Sequence, residues 1–197
     1  MYDKMLLDAP LRLKRSWRME AKAILYHSNK EDECKKFISK KDYLILSKNS
    51  KDDIWLGKGM YFWDNRGNAN WWNQKQSRRK PNEVYSIAVV NADLCELLDL
   101  TDFDIYMKLE ELWEAACKKM EKNSNVPLGN KLNFFFDSFG FETRYAIIKV
   151  YGKYNSTPSQ GLFKFEYSSM RAEPTIGVKC IFNIRDKRCI IEKELVN

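Results

Sequence analysis

The residues best suited to hold a flat, charged ligand lie in one stretch, 55–72, which reads WLGKGMYFWDNRGNANWW. Two glycines, Gly57 and Gly59, stand directly before the aromatic run MYFW, which contains Tyr61. Glycine has no Cβ and tolerates positive φ, so a glycine turn lets backbone approach a ligand closely. An aromatic strand leaving such a turn can place a ring face against a flat ligand. A buried turn and core strand would select the same residue types, so both interpretations stay open.

Two segments, LYHS at 25–28 and LGKGMYFW at 56–63, occur in an order and at a separation that resemble a known family. The second segment, followed by an Ala-Asn-aromatic step, is similar to the Gly-Lys-Gly-aliphatic-Tyr-Phe signature of the ADP-ribosyltransferase fold. The first looks like the histidine-bearing first strand of the branch that includes the poly(ADP-ribose) polymerases. The resemblance covers 27–72 best and the last third of the chain least.

The resemblance implies that NAD is the co-substrate and that no metal is required. By this resemblance His27 hydrogen-bonds a ribose hydroxyl of the adenosine half, and Ser28 adds a second polar contact. Tyr61 lays its ring on the nicotinamide, where cation–π attraction contributes about 1–2 kcal/mol. Trp71 stands where the family often has a second clamping aromatic, and Trp72 is the alternative.

The resemblance also implies that Gly57 and Gly59 form the turn beside the cofactor and that a glutamate completes the catalytic set with Tyr61. Cleavage of the nicotinamide–ribose bond develops oxocarbenium-like positive charge, which an aimed carboxylate stabilises. Glu166, in the run FKFEY, is favoured as that carboxylate, and Glu173, in the run MRAEP, is the alternative. The strand candidate at 178–183 carries no carboxylate at the point where the family has one.

Composition bounds the class of protein. The 197 residues suffice for one domain with a real core, and 44% hydrophobic with 31% charged residues indicate a globular chain. No apolar run approaches the roughly 20 residues needed to span a bilayer, and the first residues lack a signal-peptide core, so we expect a cytoplasmic protein. Five cysteines without a C-x-x-C pair and a single histidine, His27, argue against a metal site.

The net charge of +7 biases partners toward polyanions. The resemblance implies an NAD-dependent mono-ADP-ribosyltransferase of the small stand-alone toxin or defence-effector type. Its acceptor is a macromolecule, with nucleic acid, RNA above all, slightly ahead of protein, and an antitoxin protein is a plausible further partner. The alternatives are an NAD glycohydrolase and a non-enzymatic basic module that binds nucleic acid.

The hydrophobic pattern predicts an α+β fold with a single domain, 23–197, after a basic amphipathic arm, 1–22. The resemblance implies that this domain is ADP-ribosyltransferase-like. We expect a split β-sheet with flanking helices and an NAD cleft. The expected strands cover 23–27, 43–46, 84–90, 145–151, 162–167, 177–184 and 188–191. The expected helices cover 31–41, capped by Asn29, 65–76, and a long segment ending near 121, capped by Thr101 or Asp102. The expected turns are a basic loop at 76–81 and a hairpin turn at 185–187.

Overall fold

A computed structural model of the chain describes residues 21–47, 55–154 and 177–196. These residues form a mixed α+β structure, so the predicted fold class is confirmed at that level. Most of the predicted arm, 1–22, and both candidate glutamates, Glu166 and Glu173, lie outside the described residues. Among the described helices, none has the length and apolar character that crossing a bilayer requires.

Seven strands form one hydrogen-bonded sheet in the order β4-β5-β6-β2-β1-β3-β7, in which only the β4–β5 pair is parallel. The strands are β1 Lys22–Lys30, β2 Met60–Trp63, β3 Tyr85–Asp93, β4 Leu97–Asp99, β5 Ile147–Lys153, β6 Val178–Ile184 and β7 Ile190–Val196. The helices are α1 Glu31–Ser39, α2 Arg66–Arg79, α3 Phe103–Met120 and α4 Leu128–Phe139.

The sheet is narrowest between β1 and β2. There a single pair, Tyr26↔Trp63, joins the strands, whereas β1 and β3 pair along their whole length. The split sheet that the resemblance implies is not seen among the described strands, which belong to one sheet and are joined at this point by a single residue pair. Two strands that pair at one point and then diverge leave backbone groups that side chains must satisfy.

Each face of the sheet covers its own hydrophobic cluster, because successive side chains of a strand point to opposite faces. We call the two faces the α1 face and the α2 face. The α1 face buries Leu25, Phe37, Phe62, Val90 and Ile147. The α2 face, which α3 and α4 also cover, buries Trp63, Ala69, Ile148, Ile181, Trp113 and Phe135.

The helix starts follow the capping residues of the sequence in two cases. Asn65 accepts a hydrogen bond from the Asn68 backbone N–H at the start of α2, at 2.8 Å, and Asp102 does the same for Ile105 at the start of α3, at 3.0 Å. The predicted cap of α1 is wrong, because the N-cap is Lys30 and no side chain caps it. Asn29 lies on β1 and is used elsewhere.

Three local predictions are wrong. Residues 43–46 form no strand, and the residues at 76–79, expected in a basic loop, belong to the last turns of α2. The segment 185–187 is not a hairpin turn, because β6 pairs with β5 and β2 while β7 pairs with β3 at the far edge of the sheet. The chain crosses the α1 face between these two strands, and a turn-like sequence cannot reveal such a distant partner.

Candidate functional site

The imidazole of His27 bridges the point where β1 and β2 part. Its Nδ1 lies 2.6 Å from the Tyr61 carbonyl oxygen, and its Nε2 lies 3.3 Å from Nδ2 of Asn29. A carbonyl can only accept, so Nδ1 carries the proton, and Nε2 accepts from the Asn29 amide. The ring therefore supplies a donor to the Tyr61 carbonyl and places His27 next to Tyr61. Contact of these two residues with NAD stays a prediction.

Burial keeps this imidazole neutral. His27 is 8% exposed, and desolvation lowers its pKa from 6.5 to about 4, against the opposing effect of the hydrogen bond to the Tyr61 carbonyl. At neutral pH the ring thus offers one N–H donor and one nitrogen acceptor and no charge. Such a group orients polar partners but does not attract anions.

A cavity of about 220 Å³ opens beside this junction, where β1 and β2 diverge. Its walls are mostly aromatic, because the strands and α2 direct several large rings to one place. The lining residues are His27, Ser28, Trp55, Tyr61, Phe62, Trp63, Trp72, Tyr154 and Ile181. The volume is below the 300–1,000 Å³ typical of pockets for drug-sized molecules, so this space suits one flat ring.

Tyr61 is held in the cavity wall through its hydroxyl group. The hydroxyl donates to the Gly57 carbonyl at 2.7 Å and accepts from the Leu56 N–H at 3.2 Å. The phenol ring is therefore fixed against the glycine turn that precedes its own strand. A ring whose rotation is restricted in this way loses little entropy when a ligand stacks on it.

The two glycines of that turn have backbone conformations that other residues rarely adopt, with φ of +72° at Gly57 and +140° at Gly59. A Cβ at Gly57 would lie 2.2 Å from Oδ1 of Asn133, and one at Gly59 would lie 2.1 Å from Oδ1 of Asn183. Protein side chains therefore make the close approach that the glycines permit. Contact of either glycine with a cofactor stays a prediction.

Arg185 ties the same turn to helix α4. Its guanidinium donates to the Leu56 carbonyl at 2.9 Å and to Oδ1 of Asn133 at 2.7 Å, and that oxygen also accepts from the Lys58 N–H. The guanidinium lies 4.2 Å from the ring centroid of Phe136. The glycine turn thus rests on a preformed support.

Two buried polar side chains at the site lack partners among the described residues. Ser28 is 8% exposed, lines the cavity, and its Oγ forms no hydrogen bond there. Asn183, directly across from Tyr61 in the β2–β6 ladder, is fully buried, and neither polar atom of its amide is bonded within that part of the chain. Unpartnered buried polar groups are costly and often mark places where a ligand binds.

Of the two candidate clamping tryptophans, Trp72 lies in the cavity wall, while Trp71 packs edge-on against Tyr154 at 6.1 Å. Tyr154 is also within 5.8 Å of the Trp63 centroid and 5.6 Å of the Trp55 centroid. Tyr154 therefore lines the cavity and also packs against Trp71, which is not in the cavity wall. Contact of Trp71 with NAD stays a prediction.

A second, larger groove of about 860 Å³ lies on the other side of His27. Asn29 belongs to its wall and donates to the imidazole, so the two spaces adjoin. The groove carries charges of both signs, from Lys30, Glu33, Lys36, Asp42, Arg185 and Lys187. It has room for a ligand that extends beyond the aromatic cavity.

Sequence reasoning did not identify five of the cavity residues: Trp55, Phe62, Trp63, Tyr154 and Ile181. Tyr154 lies near the start of a Ser/Pro/Asn-rich segment, and such segments often border functional sites. Its position there is the feature of the sequence that could have identified it. Trp63 and Ile181 are paired neighbours on β2 and β6, so only the pairing of these distant strands brings them together.

Within residues 21–47, 55–154 and 177–196, no cluster of three or more His, Cys, Asp or Glu side chains is arranged to hold a metal ion. Comparison with known proteins found no matching family model, no matching curated protein and no matching solved structure.

Proposed function

We propose that the chain binds NAD through the aromatic cavity and acts as a mono-ADP-ribosyltransferase that modifies a macromolecule and releases nicotinamide. The observation that carries this proposal is the junction of His27 and Tyr61. Two residues 34 positions apart are joined by a 2.6 Å hydrogen bond at the wall of a cavity sized for one ring. The sequence resemblance assigns these same two residues to the two ends of NAD.

The cavity residues fit the nicotinamide half in their chemistry. The pyridinium of NAD is a flat cation, and aromatic walls attract such a group through ring quadrupoles and stacking. The Ser28 hydroxyl, which has no partner among the described residues, is a hydrogen-bonding group that an amide or hydroxyl of the ligand would satisfy. The groove of about 860 Å³, whose wall includes the Asn29 that donates to His27, has the volume for the rest of the dinucleotide.

The role of the described residues is to bind and orient. Tyr61 presents a fixed ring, and neutral His27 offers Nε2 to a ribose hydroxyl in place of the long bond from Asn29. Stabilisation of developing positive charge requires a carboxylate, and the cavity lining holds none among the residues that the structure describes. Glu166, with Glu173 as the alternative, is the proposed source.

The proposed acceptor is nucleic acid, RNA ahead of protein, because the chain carries a net charge of +7. A small basic transferase of this kind fits a toxin or defence effector, for which a neutralising protein partner is expected. Hydrolysis of NAD, with water as acceptor, uses the same cavity and is the variant of the proposal that needs no macromolecule.

The test incubates the protein with NAD labelled on the adenylate phosphate, together with RNA, DNA or cell protein, and follows the label. Wild type is expected to label one class of macromolecule, and Tyr61→Leu to lose at least tenfold in rate because the stacking ring is gone. The matched control Tyr61→Phe keeps the ring and removes the hydroxyl that bonds to the glycine turn. It should retain most of the activity.

Binding and chemistry are separated by a parallel melting experiment with NAD. Glu166→Gln, or Glu173→Gln if the alternative holds, should leave the NAD-induced rise in melting temperature unchanged while abolishing transfer. If labelled NAD stays intact with every acceptor and gives no rise in melting temperature, the proposal is wrong.

A specific observation favours a second candidate, a non-enzymatic module that binds phosphate-bearing ligands. The ammonium group of Lys179 lies within 5.8 Å of the ring centroid of the cavity residue Tyr154. A cation there opposes the positive charge that NAD cleavage develops but favours anionic ligands. Salt-dependent binding of nucleic acid without any NAD effect would support this candidate.

A further inference from the structure

Two lysines on different elements place their ammonium groups against the same tryptophan. Nζ of Lys75, one turn along α2, lies 4.8 Å from the centroid of Trp71, and Nζ of Lys179, on β6, lies 5.1 Å from it. Lys75 is also 5.6 Å from the Trp72 ring, which lines the cavity. Both lysines are therefore next to rings that line the cavity, Trp72 for Lys75 and Tyr154 for Lys179.

Lys179 is poorly satisfied for a buried cation. The residue is 6% exposed, and its ammonium group donates to Oδ1 of Asn68 at 2.8 Å. An ammonium group has three N–H donors, and one neutral acceptor does not balance its charge. Within the described part of the chain neither Lys75 nor Lys179 is ion-paired with a carboxylate. Burial lowers the pKa of Lys179, and the more distant charge of Asp64 opposes this only in part.

Other partly buried lysines of the chain have what Lys179 lacks. Lys149 forms an ion pair with Asp99 at 2.8 Å and contacts the Thr101 hydroxyl at 3.3 Å. Lys193 donates to two backbone carbonyls, those of Phe37 and Lys40. Each of these two lysines thus has two partners, whereas Lys179, next to the cavity, has one hydrogen-bond acceptor among the described residues.

We propose that Lys179, Lys75 and Trp71 form a phosphate-binding site at the edge of the aromatic cavity. A phosphate group offers several charged oxygens, which can accept from both ammonium groups at once and balance their charge. The Trp71 indole gives both lysines an aromatic ring that each ammonium group faces. This site goes beyond the proposed transferase, because it requires only a ligand with phosphate beside a flat ring.

Two ligands share that chemistry, namely the diphosphate of a dinucleotide and the backbone of a nucleic acid strand. The test measures binding by calorimetry with three probes. ADP-ribose carries the diphosphate without nicotinamide, a single-stranded oligonucleotide carries backbone phosphates, and nicotinamide alone carries no phosphate.

Lys179→Met is expected to weaken binding of at least one phosphate-bearing probe about tenfold or more and to leave nicotinamide binding unchanged. Lys75→Gln should weaken the same probe about threefold, whereas Lys75→Arg, which keeps the charge over Trp71, should retain wild-type affinity. Lys118→Gln, an exposed lysine on α3, is the control and should change none of the three. Loss confined to ADP-ribose assigns the site to the dinucleotide, and loss confined to the oligonucleotide assigns it to the strand.

The proposal is overturned if both phosphate-bearing probes bind Lys179→Met as tightly as wild type, or if neither binds wild type. Because Lys179→Met removes an underpartnered charge, its melting temperature should not fall, and this measurement shows that the variant is folded. Phosphate binding that depends on Lys179 in a protein that never cleaves NAD would retain this site and reject the transferase.

Discussion

Lys193 and Lys179 lie on opposite faces of the sheet, and each places its ammonium group over an aromatic ring. On the α1 face, Lys193 contacts Phe37 and donates to two carbonyls at and just beyond the end of α1, so its hydrogen-bonding needs are met by the fold. On the α2 face, the ammonium group of Lys179 has one hydrogen-bond acceptor among the described residues, Oδ1 of Asn68. Lys193 is therefore a structural lysine, whereas Lys179 has N–H donors left for the proposed phosphate ligand.

The same contrast holds around the cavity. His27, at the junction of the strands, has a partner for each ring nitrogen, whereas Ser28, its neighbour on the α2 face, has none among the described residues. The fold thus supplies hydrogen-bond partners for the His27 ring at the junction, but within the described residues it supplies none for the Ser28 hydroxyl in the cavity wall. Substitutions on the two sides should separate stability from binding.

The largest effect is expected for Gly59→Ala. The methyl group would overlap the amide of Asn183 at a φ of +140°, so steric overlap and backbone strain together should cost at least about 3 kcal/mol of unfolding free energy. Gly140→Ala is the control, because φ is +69° there but a Cβ would meet open space, and the cost should be about 1 kcal/mol. Denaturant titration measures both, and equal losses would contradict the proposed close contact.

The next effect is a pH dependence that comes from His27. Its folded pKa of about 4 lies below the unfolded value of 6.5, so the unfolded chain binds the proton first as pH falls. Unfolding free energy should be constant above pH 6.5 and fall by about 2 kcal/mol at pH 5 and about 3 kcal/mol below pH 4. His27→Gln, which removes the only histidine, should flatten the curve between pH 7.5 and 5. An unchanged slope would show that the imidazole is not buried neutral.

A smaller effect separates the two lysines directly. Lys193→Met should cost about 2 kcal/mol, because it removes charged hydrogen bonds and leaves two carbonyls unsatisfied. Lys179→Met should cost nothing or raise stability, because a methionine fits the aromatic surroundings without an unbalanced charge. Thermal melting of both variants tests the comparison, and a loss at Lys179 as large as at Lys193 would mean that both lysines are structural.

The smallest effect on stability is expected at Ser28. Ser28→Ala removes a buried hydroxyl that lacks a partner among the described residues, so unfolding free energy should stay within about 0.5 kcal/mol of wild type or rise slightly. Ligand affinity should nevertheless fall severalfold, because this hydroxyl lines the cavity and is unbonded within the described part of the chain. A clear loss of stability, measured by denaturant titration, would show that Ser28 already has a structural role.

The sequence predicts the elements of this fold better than their assembly. Short apolar runs locate β1 and β3, and helical spacing locates α2 and α3. Asp102, one of the two caps expected for α3, does cap it because capping is local chemistry. The partner of β7 is not local, and this is why the turn-like residues at 185–187 suggested a hairpin that does not form.

The candidate site was predictable only in part, for a related reason. His27 and Tyr61 were placed together by a resemblance, and no pattern in the sequence records that the imidazole would donate to the Tyr61 carbonyl. Lys179 alternates with Ile181 and Asn183 on β6, so their common face could be predicted, but not that this face borders the cavity. The burial of Lys179 depends on the rings of Trp71 and Tyr154, which come from segments distant in the sequence.

The central claim is that the aromatic cavity is the binding site of NAD, and calorimetric titration with NAD tests it most directly. Wild type should show saturable binding, Trp72→Leu, which removes one wall of the cavity, should bind at least tenfold more weakly, and Tyr106→Leu, an exposed aromatic on α3, should match wild type. Absence of binding to wild type, or equal affinity in Trp72→Leu, would contradict the account.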